Sequence, residues 1–144
     1  MYQVFLHIHT TLRWLILLSM VTTLVKYFVG WFGGQPWKKI DNILGIVFTS
    51  LMDLQLLTGL TLYFFLSPIT KMAFSDFGAA MKNDNLRFFA VEHLSVMLIA
   101  VVLVHIGRAK SKKAKTDIDK FRTATYFFLI ALVIIVATIP WSRV

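Results

Sequence analysis

The sequence predicts an all-α fold, an integral membrane bundle of four transmembrane helices with both termini on the non-cytoplasmic side. The chain of 144 residues is 58% hydrophobic, its mean hydropathy is +0.73, and its long apolar runs are separated by short polar connections. Soluble domains are about 45–50% apolar, and one small core could not bury the excess. We therefore expect a single transmembrane domain over residues 1–144, with membrane lipid as a partner.

Each predicted helix is an apolar run of about 20 residues or more, the length that crosses a membrane, and a glycine or proline follows each run. The four runs cover about residues 4–30, 42–66, 86–106 and 121–139. A basic loop is predicted at 107–120. The connection at 67–85 mixes phenylalanine with lysine and aspartate, which predicts a short helix lying flat on the membrane surface.

The basic residues predict the orientation of the bundle. Seven Lys or Arg lie between Arg108 and Arg122, and three more, Lys26, Lys38 and Lys39, fall on the same side, which then holds ten. The other side holds only Lys71, Lys82, Arg87 and Arg143. Because basic loops stay in the cytoplasm, we expect both termini to face outward from a bacterial cytoplasmic (inner) membrane.

Several classes of site are excluded by residue content. The chain has no cysteine, so it forms no disulfide, thiolate zinc site or iron–sulfur cluster of its own. It contains no HExxH, GxSxG or glycine-rich phosphate loop, and we expect no catalytic residues. The net charge of +8 lies mostly beside the helices, where it acts on topology and anionic lipid. We expect no nucleic-acid partner.

Two opposite charges are predicted near the middle of the membrane. Arg13 and Asp53 each lie about eleven residues into a helix at about 1.5 Å per residue. A charged group at that depth costs about 2.5–3.5 kcal/mol on insertion scales. The simplest account is a buried Arg13–Asp53 ion pair that locks the first helix to the second. The alternative is that Arg13 binds a haem propionate, a quinone or another anion.

Two histidines are predicted at matching depth on different helices. His9 lies about five to seven residues below the outer surface in the first helix, and His93 lies about seven residues into the third. This arrangement fits the two axial ligands of one haem inside a bundle. Arg13 is four residues after His9 and shares its helix face. We expect His9 and His93 to bind haem iron with Arg13 one turn deeper, the alternative being that both histidines only pack.

His7 and Glu92 are secondary candidates near the same depth. His7 points about 200° round the helix from His9, so the two cannot face one site. Glu92 could accept a proton from His7, pair with Arg13, or carry protons as a buried carboxylate.

His105 is the third secondary candidate. It follows His93 by twelve residues, which turns it about 120° away on an α-helix. Since the second and fourth helices contain no histidine, a second haem would lack a ligand pair. We expect His105 to be a polar residue of the inner rim, near Lys26.

Four segments carry a resemblance to a known group: HIHTTLRW in the first helix, DLQLLTGLTLYF in the second, RFFAVEHLSVMLIA opening the third, and the terminal IPW. In these the chain resembles small bacterial membrane proteins labelled "cytochrome B" or cytochrome b-like, across all four helices. The resemblance implies haem b, with His9 and His93 as candidate ligands. The chain departs from well-understood b-type cytochromes by lacking a second histidine pair, which argues against an electron path across the membrane.

Three functional hypotheses follow. The first is a b-type haem protein that carries electrons, or anchors a partner in a membrane complex, at the outer side of the membrane, with any substrate chemistry belonging to the partner. The second is a non-catalytic accessory subunit of a larger membrane complex. The third is metal-ion binding or transport through His7, His9, Glu92 and His93, because neutral imidazole suits zinc and copper.

Overall fold

The computed structural model describes residues 1–141 and consists of four long helices with short connections. In chain order, the helices α1 to α7 are Tyr2–Phe32, Lys39–Thr61, Pro68–Ser75, Phe77–Ala80, Asp84–Arg87, His93–Lys113 and Asp117–Thr138. Turns of π-helix at Leu62–Leu66 and Phe88–Glu92 extend α2 and join α5 to α6. Residues 1–141 contain no strand, so the all-α prediction is confirmed.

Four continuous helical spans are each long and apolar enough to cross a membrane. They are Tyr2–Phe32, Lys39–Leu66, Asp84–Lys113 and Asp117–Thr138. The prediction of four long apolar helices is therefore confirmed. Their outward faces carry large apolar side chains, such as Leu18, Leu57 and Val133, each more than half exposed. A soluble helix would turn its polar face to that side.

The spans alternate in direction, so Met1 and Trp141, the first and last described residues, lie at one end of the bundle. We call this the upper end; it also holds the connection at 67–83, and the lower end holds the connections at 33–38 and 114–116. α1 packs between α2 and α7, and α6 packs closely along α7. α2 and α6 pack less closely on each other, which leaves the bundle more open between them.

The lower half is held by an aromatic core and one buried charge network. Tyr27 is buried and contacts Phe121 with 5.8 Å between ring centres. Its hydroxyl donates to the carbonyl of Asp41 at 2.7 Å. The fully buried Asp41 carboxylate accepts from Lys26 Nζ at 2.7 Å and from the backbone N–H of Lys38 at 2.8 Å. This network ties α1 to the first turn of α2, and it shows that Lys26 is paired with Asp41.

The predicted basic loop at 107–120 is wrong in extent. α6 runs on to Lys113 and α7 begins at Asp117, so only 114–116 connect them. Gly107 does not end the helix; a Cβ there would lie 2.3 Å from Phe127 Cβ, so the glycine lets α6 and α7 touch. Lysine is a good helix former and is favoured near a helix C terminus. Thr116 then caps α7 by accepting a backbone N–H in its first turn.

The upper connection contains the short helix expected there. The Ser67 hydroxyl accepts from the N–H of Ile69, and Pro68 occupies the first turn of α3, both of which favour a helix start. Met72 and Phe74 are exposed on α3. This connection packs over the upper end of the bundle and contributes Ser67, Ile69 and Thr70 to the cavity described next.

Candidate functional site

A cavity of about 390 Å³ opens into the upper half of the bundle between α1, α2, α6 and α7. Its volume falls in the range of about 300–1,000 Å³ that small-molecule sites occupy. Most of its wall is apolar, and a few polar side chains converge on it, as in typical ligand sites. These polar side chains are Tyr2, His9, Thr10, Arg13, Gln55, Tyr63, Ser67, Thr70, Asn85 and His93.

The structure brings the two predicted histidines together across this cavity. His9 comes from the second turn of α1 and His93 from the first residue of α6. Their ring centres are 6.5 Å apart and their planes are inclined by 70°. Because α1 and α6 both enter the bundle from the upper end, counting residues at the constant rise of an α-helix was enough to predict that the two histidines lie at the same depth.

A polar face of α2 fixes the position of His9. Gln55 Nε2 donates to the backbone carbonyl of His9 at 2.8 Å, and the Thr58 hydroxyl lies 3.3 Å from His9 Nδ1. Gly59 admits the ring, since a Cβ there would lie 3.1 Å from His9 Cε1. These three α2 residues thus hold the imidazole between α1 and α2.

The same contacts assign the tautomer of His9. The Thr58 hydroxyl has one proton, which it donates to the carbonyl of Gln55 at 2.9 Å. Its oxygen therefore accepts from His9 Nδ1–H, an assignment made from the hydrogen-bond network. In the neutral ring, Nε2 then keeps its lone pair, which suits it to bind a metal or accept a proton.

The two π-helical turns place His93. They lie side by side at the upper end, where the Tyr63 hydroxyl in one donates to the carbonyl of Ala90 in the other at 2.5 Å. Phe88 and Phe89 contact the His93 ring with centre distances of 5.5 and 6.3 Å. Turns of π-helix inside α-helices occur often at functional sites. Each π-helical turn rotates the side chains that follow it, compared with their directions in an uninterrupted α-helix.

One buried nitrogen of His93 has no hydrogen-bond partner among residues 1–141. His93 Nδ1 is buried and unsatisfied. The backbone of Thr138 in α7 is a hydrogen-bonding neighbour of the His93 ring, yet Nδ1 stays without a partner. Since buried polar atoms are almost always satisfied, this nitrogen marks a position where a ligand or a small shift would supply the missing contact.

Arg13 also faces the cavity, and the predicted ion pair with Asp53 is wrong. Arg13 has no carboxylate partner within residues 1–141. Its Nε is buried without a hydrogen bond, and its guanidinium lies 5.0 Å from the Trp14 ring. Arg13 and His9 both face the cavity from the same side of α1, as their spacing of four residues predicted. Within the described part of the chain, Arg13 therefore presents a cation to the cavity without a neutralising side chain.

Asp53 instead pairs with His105, which corrects the prediction that His105 lies near Lys26. Asp53 Oδ1 is 2.6 Å from His105 Nε2. Depth alone suggested Arg13 as the partner, but Asp53 is one residue beyond the cavity-facing Met52. One residue turns a helix by about 100°, which carries the carboxylate out of the cavity toward α6.

His7 and Glu92 lie outside the cavity. His7 is exposed on α1, on the side away from His9 as its spacing predicted. Glu92 is exposed and accepts from Arg87 Nε at 2.6 Å, so the expected pairing with His7 or Arg13 does not form. Arg87 also reaches Asp84 at 3.0 Å, and this exposed cluster belongs to the start of the third span.

Sequence reasoning missed the residues of α2 that support His9. A signal for them exists in the segment QLLTGLTL, where Gln55, Thr58 and Gly59 occupy positions i, i+3 and i+4 of an apolar helix. Such spacing puts polar and small residues on one face, and a polar face inside a membrane-type helix indicates contact with protein. Tyr63 and Asn85 gave no comparable pattern.

Fold and site together define a class: a bundle of four apolar helices, of the kind that multi-pass membrane proteins have, with a mostly apolar cavity in one half on which a few polar side chains converge. Comparison with protein-family models, with curated proteins and with solved structures found no match to this chain. No group of three or more His, Cys, Asp or Glu residues within residues 1–141 is placed to hold a metal ion. The cavity instead contains the histidine pair, His9 and His93, beside the cationic side chain of Arg13.

Proposed function

We propose that this chain is a membrane-embedded b-type haem protein in which His9 and His93 would hold the iron. Two imidazoles that bond one metal at about 2.0–2.1 Å have ring centres about 6–6.5 Å apart, since each centre lies about 1.1 Å behind its nitrogen. The His9 and His93 ring centres are 6.5 Å apart. This distance is the observation that carries the proposal.

The chemistry of the surrounding groups also fits. His9 Nε2 has a free lone pair in the tautomer that Thr58 selects, and a hydrogen-bonded Nδ1–H is the usual outer contact of a ligating histidine. His93 has a buried nitrogen without a partner. Apolar side chains, among them Leu60 and Leu94, supply the low-polarity wall that a flat apolar cofactor needs.

Arg13 supplies the counter-charge for an anionic group in this cavity. It lies one turn below His9, and its buried Nε has no acceptor. A carboxylate such as a haem propionate would accept from it in a charge-assisted hydrogen bond. A quinone or another anion would use the same donor, so Arg13 by itself does not select among them; the histidine pair does.

The residues of the chain would act by binding and by excluding water. Gln55 and Thr58 hold His9, the Tyr63–Ala90 contact holds the turn before His93, and the apolar wall keeps the site dry. A bound haem b would supply one-electron transfer at a potential tuned by its axial ligands and its surroundings. We propose the role of electron carrier or anchor subunit, consistent with the resemblance to cytochrome b-like membrane proteins.

We further propose that the bundle lies in a bacterial cytoplasmic membrane with its upper end outside. The lower end of the bundle carries ten of the fifteen Lys and Arg, seven of them between Arg108 and Arg122, and such segments stay in the cytoplasm. Arg143, counted on the other side, lies outside the described residues. The exposed Phe74 and Met72 of α3 would then lie on the outer surface of the membrane.

The test is a reduced-minus-oxidised absorbance spectrum of the full chain purified in detergent after expression with haem supplied. We expect a b-type spectrum from the unchanged protein, loss of haem from His9→Ala and His93→Ala, and retention in His7→Ala and His105→Ala. The two controls are histidines of the same spans that lie outside the cavity. A folded protein without haem bands, or equal loss from all four variants, would contradict the proposal.

The two other hypotheses, metal-ion binding and an accessory subunit, differ in how well the site residues support them. Metal-ion binding through His7, His9, Glu92 and His93 loses two of its four ligands, because His7 and Glu92 lie outside the cavity. The accessory-subunit hypothesis predicts co-purification with a stable complex that His9→Ala and His93→Ala leave unchanged. The same variants therefore separate it from the haem proposal.

A further inference from the structure

The Asp53–His105 pair lies on the outer surface of the bundle, halfway along a helical span. Asp53 is in α2, and its side chain is 51% exposed; His105 is in α6, and its side chain is 46% exposed. Neither residue contacts the cavity. Ionisable residues within membrane-spanning helices almost always face the bundle interior or a water-filled cavity, and this pair faces outward.

The pair also leaves one polar atom on each partner without a hydrogen bond. The contact uses Asp53 Oδ1 and His105 Nε2, and within residues 1–141 no hydrogen bond reaches Asp53 Oδ2 or His105 Nδ1. When the two groups form an ion pair, the His105 imidazolium still has one unused N–H donor. The Asp53 carboxylate still has one unused acceptor oxygen. Leaving such groups unpaired in hydrocarbon is unfavourable, so a protein surface that satisfies them is favoured.

Among the exposed residues around the pair, four on each helix have the spacing of a helix-packing seam. They occur at intervals of four, three and four residues on each helix. On α2 they are Ile46, Ser50, Asp53 and Leu57, and on α6 they are Leu98, Val102, His105 and Ala109; all eight are exposed. This is the a/d spacing along which helices interlock, and one polar position in such a seam specifies register. Small residues such as Ser50 and Ala109 allow close approach of helices in a membrane.

We infer that this α2–α6 face is a twofold dimer interface between two copies of the chain. With His105 protonated, the unsatisfied groups form a self-complementary set of one donor and one acceptor. Across a twofold axis each copy presents to the other the same patch, so His105 of one copy can donate to Asp53 of the other, and the reverse. A single foreign helix would have to supply both an acceptor and a donor at the same depth.

Disulfide cross-linking in membranes tests the dimer without any cofactor. Because the chain has no native cysteine, an introduced cysteine is the only residue of the chain that can form a disulfide. We expect oxidation to link Ser50→Cys or Val102→Cys into dimers about tenfold faster or more than Val133→Cys, because residues held in one interface react at a raised effective concentration. Val133 is the matched control, 62% exposed on α7, away from the seam.

A second comparison checks the role of the polar pair. Asp53→Asn and His105→Gln, each added to the reactive cysteine variant, should slow its cross-linking severalfold while the helical circular dichroism stays unchanged. Equal rates at positions 50, 102 and 133, or a monomeric mass for the purified chain in lipid nanodiscs, would overturn the inference. Linkage of Ser50→Cys chiefly to a different protein in native membranes would overturn it as well.

Discussion

At the scale of single residues, the cavity is organised by small and polar residues of α2 as much as by the histidines. Gly59 matters because its missing side chain is the space that the His9 ring occupies, with only 3.1 Å between a hypothetical Cβ and His9 Cε1. Thr58 and Gln55 complete the contact by hydrogen bonds. The proposed ligand geometry therefore depends on three residues that are not ligands.

Gly59→Ala should displace the His9 ring and reduce haem occupancy, with a loss of stability of about 1–3 kcal/mol, the usual cost of overpacking. The absorbance spectrum and the thermal unfolding midpoint in detergent measure both effects. Gly78→Ala is the control, since a Cβ there meets only Asp76 Oδ1, at 3.9 Å. Full haem occupancy in Gly59→Ala would show that His9 is not held by this contact.

At the scale of helices, close contacts at glycine hold the bundle together. α6 and α7 touch at Gly107, and α1 meets α7 at Gly30 under the ring of Phe121. In membranes helix association depends on packing and hydrogen bonds, because lipid is as apolar as the side chains. Gly107 is thus a packing residue within a helix, which explains why the prediction that it ends the helix was wrong.

Gly107→Ala should destabilise the bundle more than Gly30→Ala. At position 107 the new Cβ would lie 2.3 Å from Phe127 Cβ, which is fixed to the backbone, whereas at position 30 it meets the far end of the Phe121 ring at 2.5 Å. The far end of a side chain can shift more easily than a Cβ fixed to the backbone, so we expect about 1–3 kcal/mol for Gly107→Ala and less for Gly30→Ala. Thermal unfolding in one detergent compares them; the reverse order would contradict this account of the α6–α7 contact.

At the scale of the whole molecule, charge is distributed unevenly between the two ends. The lower end carries the lysines of α6 and its short connection, and the upper end carries the cavity mouth and the aromatic α3. If the chain spans a membrane as proposed, this asymmetry fixes its direction. The cavity would then open toward the outer side.

Single cysteines at the two ends test that direction, because the chain has none of its own. In spheroplasts of the expressing bacterium, a membrane-impermeant maleimide should label Ser75→Cys and spare Lys115→Cys. Both positions are exposed in the structure, so burial does not distinguish them, and detergent lysis should make both reactive. Labelling of Lys115→Cys alone in intact spheroplasts would invert the proposed orientation.

The sequence by itself determined the four long apolar helices and the matching depths of His9 and His93. Hydropathy is a sum over local residues, and depth follows from a constant rise per residue. Only the tertiary structure decided the partners: Asp53 binds His105, and Arg13 faces the cavity without an acidic partner among residues 1–141. Partners depend on helix rotation, crossing and tight contacts at glycine, and on π-helical turns that shift register; these arise from packing between segments distant in sequence.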